Sequence, residues 1–242
     1  MPVSAVLRSM VRVRDEAIES RTESTCPGVS SGMICSVLGV TPAQISALRA
    51  RHSLVRDLVL VVHDNRLKAL LEDVIRHTPA ERQAELVARQ TRFEQSPAGS
   101  ELSARTAQAR VATAALGPIG SELGLESSWP LLHFVLTGGA PGDLLLSGET
   151  IGEDLGRGPA RLHDEAQTRE LSQLLAQQDV EQLSARVDLN TIASLDVFAL
   201  PEEPGPDYGN ELRAEVGIYF PRLRDYVRAM ADQGNGLLVW QS

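Results

Sequence analysis

Lysine is nearly absent from this chain, and aromatic residues are few. Among 242 residues there is one Lys, Lys68, against 22 Arg, and only nine aromatic side chains: two Trp, three Tyr and four Phe. A base-stacking platform needs aromatic faces set in a basic groove. Neither is on offer, because 32 acidic side chains outnumber 23 basic ones and the formal net charge is −9. That balance also argues against a phosphate backbone or an anionic membrane as partner. Cysteine is equally scarce. Cys26 and Cys35 are too few for a disulfide framework and lack the C-x-x-C spacing of redox and zinc sites. The longest dense apolar run, 58–62, is far short of the roughly 20 residues a spanning helix needs. The amino terminus has no apolar core of a secretory leader, so the expected location is the cytoplasm.

Motifs for common chemistries are missing too. There is no phosphate loop of the GxxxxGK[ST] type and no H-E-x-x-H. Gly152, Gly156 and Gly158 lack dinucleotide-binding spacing, and Pro159 removes a backbone donor there. Gly28-Val29-Ser30-Ser31-Gly32 matches G-x-S-x-G, but no strand leads into it, and the nucleophile elbow requires one. No cofactor and no metal are implied.

What is present is a globular composition, 43% hydrophobic and 23% charged, long enough for roughly 70% of the unfolded surface to be buried. Residues 1–32 read as an extension, disordered or partly helical, ending in the turn-rich stretch from Cys26 to Gly32. The run 33–40 suits a first strand. Thr41-Pro42-Ala43-Gln44 is a helix start with Thr as N-cap and Gln three residues on, and Thr78-Pro79-Ala80-Glu81 repeats the device. Between them Leu54, Val55, Leu58, Val59 and Val62 recur at helical spacing, followed by Leu67, Leu70, Leu71 and Val74. Helices are expected over 79–94 and 98–116, so that 64–122 reads as a helical insertion. A buried helix over 126–136 follows, then a short strand at 144–146, a glycine-rich connection over 148–160, and an extended segment at 161–163. Asp164 with Gln167 caps a helix over 165–177. Shorter helices are expected near 179–187 and 190–198. A last helix over 208–233 should be kinked or broken at Pro221, and 237–240 closes as a strand. Strands scattered among many helices point to an α+β fold, a small mixed sheet with helices packed around it in one domain over 33–242.

Two segments hold the candidate chemistry: Ser128-Trp129-Pro130-Leu131-Leu132-His133 and Gly148-Glu149-Thr150-Ile151-Gly152-Glu153-Asp154 running on to Arg161. Trp129 and His133 are four apart and share a helix face. A polar ring in an apolar helix needs a partner, which Asp154 or Glu149 could supply. Arg161 and His163 alternate onto one face if extended. Two readings follow. Either Trp129 and His133 are core and Arg161 pairs with Asp154 to hold the loop, or Trp129, His133, Glu149, Asp154 and Arg161 line a pocket with an acid–base pair and an anion anchor. A metal set of His133, His163, Glu149 and Asp154 is a third option on ligand type alone.

The same two segments resemble the YfbM-like family of small bacterial proteins of unknown function. The family's hallmark looks like a W-H-x-x-H-[FY]-x-L-T-G stretch followed by G-x-x-[IV]-G-x-D-x-G-Y-G-P-A-R. The resemblance spans 33–242 and implies an α+β fold without an established activity or cofactor. This chain carries Pro130 where members commonly have His, and Arg157 where they have Tyr.

Charge distribution supplies the functional expectation. Residues 143–242 hold 18 acidic and 8 basic side chains, whereas 1–142 are nearly balanced. The sequence therefore suggests a non-enzymatic, immunity-like binding protein that recognises a basic protein partner through Glu202, Glu203, Asp207, Glu211 and Glu215. The alternative is a small-molecule enzyme or sensor with its pocket around His133, Asp154 and Arg161. A helix-bundle scaffold over 64–122 is a third possibility.

Overall fold

The computed structural model describes residues 34–138, 144–194 and 205–241. The expected extension at 1–32, with Cys26 and the G-x-S-x-G match, lies outside them.

The chain opens with β1 (Cys35–Val40), then α1 (Pro42–Ala50) and α2 (Ser53–His77). The Thr41 capping box is formed, with Thr41 Oγ1 accepting from Gln44 N at 3.2 Å and Gln44 Oε1 accepting from Thr41 N at 2.8 Å. The second Thr-Pro does something else. Helix α3 (Ala80–Glu94) starts with no side-chain cap, because Thr78 turns back and donates to the Val74 carbonyl at 2.7 Å. It finishes α2 instead of starting α3. Helix α4 (Pro97–Thr113) is capped by Ser96 and returns along α2, where Arg110 donates to Asp64 and Asn65 at 2.6 and 2.7 Å.

Strand β2 (Leu123–Gly124) leads to α5 (Trp129–Thr137). The leucines at 144–146 form a turn, and the expected glycine-rich connection is a hairpin of β3 (Glu149–Asp154) and β4 (Pro159–His163). Only Ile151 of β3 is buried, so the strand has no apolar alternation to reveal it. A bulge between Ile151 and Asp154 places Gly152 at φ +81°, where a Cβ would lie 2.9 Å from Val55 of α2. Helix α6 (Glu165–Ala176) has the expected Asp164–Gln167 capping box. Helices α7 (Val180–Ala185) and α8 (Leu189–Ser194) follow, and residues 195–198 of the helix expected there lie outside the described residues. Helix α9 (Tyr208–Asp232) runs without a break through Pro221. The carbonyl that Pro221 leaves without a helical donor belongs to Gly217, which is exposed, so water can serve it. Strand β5 (Gly236–Gln241) closes the chain.

The fold is α+β. Its five-stranded sheet has the order β2-β1-β5-β4-β3, with every pair antiparallel. Helices α5 to α9 cover one face through Trp129, Leu132, Phe220 and Val227 against Cys35, Val37, Leu237 and Val239. Helices α1 and α2 cover the other through Leu48, Leu54 and Leu58 against Leu38, Leu162, Leu238 and Trp240. Central β5 is therefore buried on both sides and reads as an unbroken apolar run. Only the first half of α2 reaches this core, and α3 buries no residue at all. Among the described residues, no helix is long and apolar enough to cross a membrane.

Candidate functional site

The residues singled out from sequence fall on α5 and on the β3–β4 hairpin, and the hydrogen bonds of Glu149, Asp154 and Arg161 run to partners outside the set. Trp129 is buried in the α5 layer with its ring 5.8 Å from that of His133, as their shared helix face requires. Glu149 pairs with Arg49 of α1, accepting from Nη2 at 2.7 Å and Nε at 2.8 Å. Asp154 is fully exposed and accepts from the backbone N–H groups of Gly156 and Gly158 at 2.7 and 2.8 Å. Those two bonds hold its carboxyl below the usual range. The expected Arg161–Asp154 pair is thus absent, and Asp154 holds the glycine loop through backbone amides. Arg161 donates instead to Thr150, its cross-strand neighbour. Arg161 and His163 do share a face, opposite Val239 and Leu237 of β5. His163 is buried, with Nε2 2.6 Å from the Leu145 carbonyl, and so anchors the 144–147 turn. Among the described residues, no group of three His, Cys, Asp or Glu side chains is placed to hold a metal ion.

The acidic candidates are likewise divided. Glu202 and Glu203 lie outside the described residues. Asp207 and Glu211 are exposed at the start of α9. Glu215 turns inward and accepts a hydrogen bond from the buried Ser128 hydroxyl at the head of α5. An open groove of about 370 Å³ lies nearby, lined by Val187, Leu189, Pro206 and Arg213 among others.

A denser polar cluster lies at the opposite end of the sheet, among residues the sequence reading passed over. His63 and Arg66 of α2 continue the phase of its apolar stripe, four residues beyond Val59 and Val62. That phase was the available signal, since a polar group on a buried stripe must find partners. Trp240 of β5 donates its indole N–H to His63 Nε2 at 3.1 Å, and the two rings meet edge to face at 88°. Arg66 pairs with Glu122 at 2.9 Å and with Glu126. Gly124 leaves room for this, because a Cβ there would lie 2.7 Å from both terminal nitrogens of Arg66. Tyr226 of α9 accepts from Gly39 N at 2.8 Å and donates to the Ser121 carbonyl at 2.9 Å. Two buried oxygens, Ser36 Oγ and Glu122 Oε2, make no hydrogen bond among the described residues.

The electrostatics follow from burial. Desolvation pushes His63 below its ordinary pKa, which Glu122 opposes and Arg66 reinforces. Burial disfavours the Arg66 charge, but Glu126 and Glu122 outweigh it and raise its pKa. Burial lifts Tyr226 as well, against its bond from Gly39, with Glu122 adding to the rise.

The family model of a domain of unknown function (DUF1877) matches residues 32–240. No curated protein matches the chain. Among solved structures, the crystal structure of a protein of unknown function, YfbM from Escherichia coli, is similar with 15% sequence identity. The match covers 86% of this chain and 99% of that one at a TM-score of 0.49.

Proposed function

The chain belongs to the YfbM-like family defined by the DUF1877 domain of unknown function, and within that family we propose that it is a non-enzymatic, immunity-like binding protein. It engages a basic protein partner through the acidic surface of its C-terminal half. The observation that carries this reading is how charged side chains are used there. Arg186 and Arg213 are committed to the protein itself, donating to the Val135 carbonyl at 2.7 Å and to Asn210 Oδ1 at 3.0 Å. Glu170, Glu181, Glu211 and Asp232 are exposed and form no ion pair among the described residues. Arg157, Arg169 and Arg222 are exposed as well, but with 18 acidic against 8 basic side chains over 143–242 the balance of this half is negative, which favours encounter with a positive surface. The enzyme or sensor reading around His133, Asp154 and Arg161 lacks comparable support, since Asp154 and Arg161 are occupied within the β3–β4 hairpin.

The test is affinity capture from the source organism with the whole protein and with an E170Q/E181Q/E211Q variant. The expected result is a basic protein retained by the first, released as salt rises, and at least about tenfold depleted with the second. Equal capture by both proteins, or capture indifferent to salt, overturns the proposal.

A further inference from the structure

The polar cluster midway along α2 holds two features that fit together. The Trp240 indole can only donate, so His63 Nε2 must present a lone pair to it, and His63 is then neutral with its proton on Nδ1. One helical turn on from His63, Arg66 engages one oxygen of Glu122, and the other oxygen is buried without a hydrogen bond among the described residues. We propose that His63, Trp240 and Glu122 form an acid-operated switch. When Nε2 takes a proton from solvent, it stops accepting from the indole, and the imidazolium turns to the open oxygen of Glu122.

The charged and titratable groups around His63 are few and differ in effect. Glu122, on the segment entering β2, attracts the imidazolium, whereas Arg66 on α2 repels it. Glu126 is tied to Arg66, and Asp64 turns away to Lys68 and Arg110. Tyr226 of α9 lies near Glu122 and stays a neutral phenol across the range concerned. Burial keeps the neutral imidazole in place until the pH falls below the ordinary histidine range. Position gives the switch its reach. His63 and Arg66 stand where the chain leaves the core along α2, and Glu122 and Glu126 stand where it returns after α4. A change of partner here acts on both ends of the helical excursion between them.

The experiment is a pH titration of the full-length chain by NMR, following the imidazole nitrogens of His63 and the indole N–H of Trp240. The Trp129 indole is identified by its disappearance in W129F. At pH 7.5 His63 is expected as the Nδ1–H tautomer. On acidification its nitrogens and the Trp240 indole should move together, with one midpoint below about 6.5. E122Q should lower that midpoint, and H63Q, which keeps an acceptor for the indole but cannot titrate, should abolish the indole response. An Nε2–H tautomer at pH 7.5, or separate midpoints in the unaltered protein, overturns the proposal without recourse to any variant. A midpoint unmoved in folded E122Q removes Glu122 from the switch.

Discussion

Gly236, opposite Val40, and Gly39, opposite Leu237, lie one step apart in the register of the central strands, and each leaves no room for a methyl group, but the obstacle differs. A Cβ on Gly236 would stand 2.3 Å from the His163 carbonyl oxygen, which is main chain held in β4, and 2.6 Å from Ile45 Cδ1. A Cβ on Gly39 would meet Met230 Sδ at 2.0 Å, at the end of a flexible side chain that can move aside. Gly236→Ala is therefore expected to cost about 3 kcal/mol and Gly39→Ala about 1 kcal/mol, read from urea denaturation. Similar losses for both would show that Met230 is as immobile as the backbone. Asp154 acts locally in a different way. Its hydrogen bonds to the Gly156 and Gly158 amides depress its folded pKa, so the stabilisation is complete above the unfolded value of about 3.9. It is lost as the pH falls through the lower folded value. Asp154→Ala should speed hydrogen exchange at Gly156 and Gly158 near neutral pH, with no change at β5. Unaltered exchange at both amides would mean that the loop holds itself.

Helix α2 changes character along its length, from an apolar stripe at Leu54–Val62 to a charged anchor at Arg66. Its guanidinium, 19% exposed, faces Glu122 and Glu126 at 5% and 21%. Removing it leaves two carboxylates confined together, so Arg66→Met is expected to lose about 3–4 kcal/mol. Lys68→Met breaks the exposed pair with Asp64 and should change stability by no more than about 0.5 kcal/mol. Adding E122Q and E126Q to Arg66→Met should recover most of the loss, and failure to recover would assign the effect to packing. This anchor explains what could and could not be read from sequence. Capping boxes at Thr41 and Asp164 were legible because their partners lie within three residues. Thr78 was misread because a Thr-Pro pair between two helices can serve either one, and its hydroxyl bonds back to the Val74 carbonyl. The β3 strand was hidden since its only buried side chain is Ile151. Leu144, Leu145 and Leu146 looked like a strand because His163, which fixes them as a turn, is distant in sequence. Glu122 meets Arg66 across 56 residues, and only the phase of the α2 stripe marked Arg66 as needing a partner. Local chemistry was visible, and pairing across the fold was not.

At the scale of the whole molecule, two cores share one sheet and the helical excursion stands apart from both. The stripe on α2 ends at Val62, α3 buries nothing, and on α4 the buried Thr106, Ala109 and Thr113 lie near its return to the sheet. Leu70 and Val87 are exposed, so the outer part contributes little apolar burial to the domain. Helices α2 and α4 are already held together near the root by Arg110 with Asp64 and Asn65. Antiparallel helices so placed can be joined by a short loop, and shortening a connection alters closure entropy only slightly. Deleting residues 70–103 and joining 69 to 104 through about four Gly and Ser residues removes the outer turns but keeps the root. The shortened chain should unfold in one cooperative step, with a melting temperature within about 4 °C of the full protein, as a change of about 1 kcal/mol implies at this size. Calorimetry distinguishes the outcomes. A drop well beyond about 10 °C, or a broad non-cooperative transition, would make the excursion an integral part of the domain. In that case the charge pairs at its root would be one face of a larger cooperative unit rather than the clasp of a separable arm.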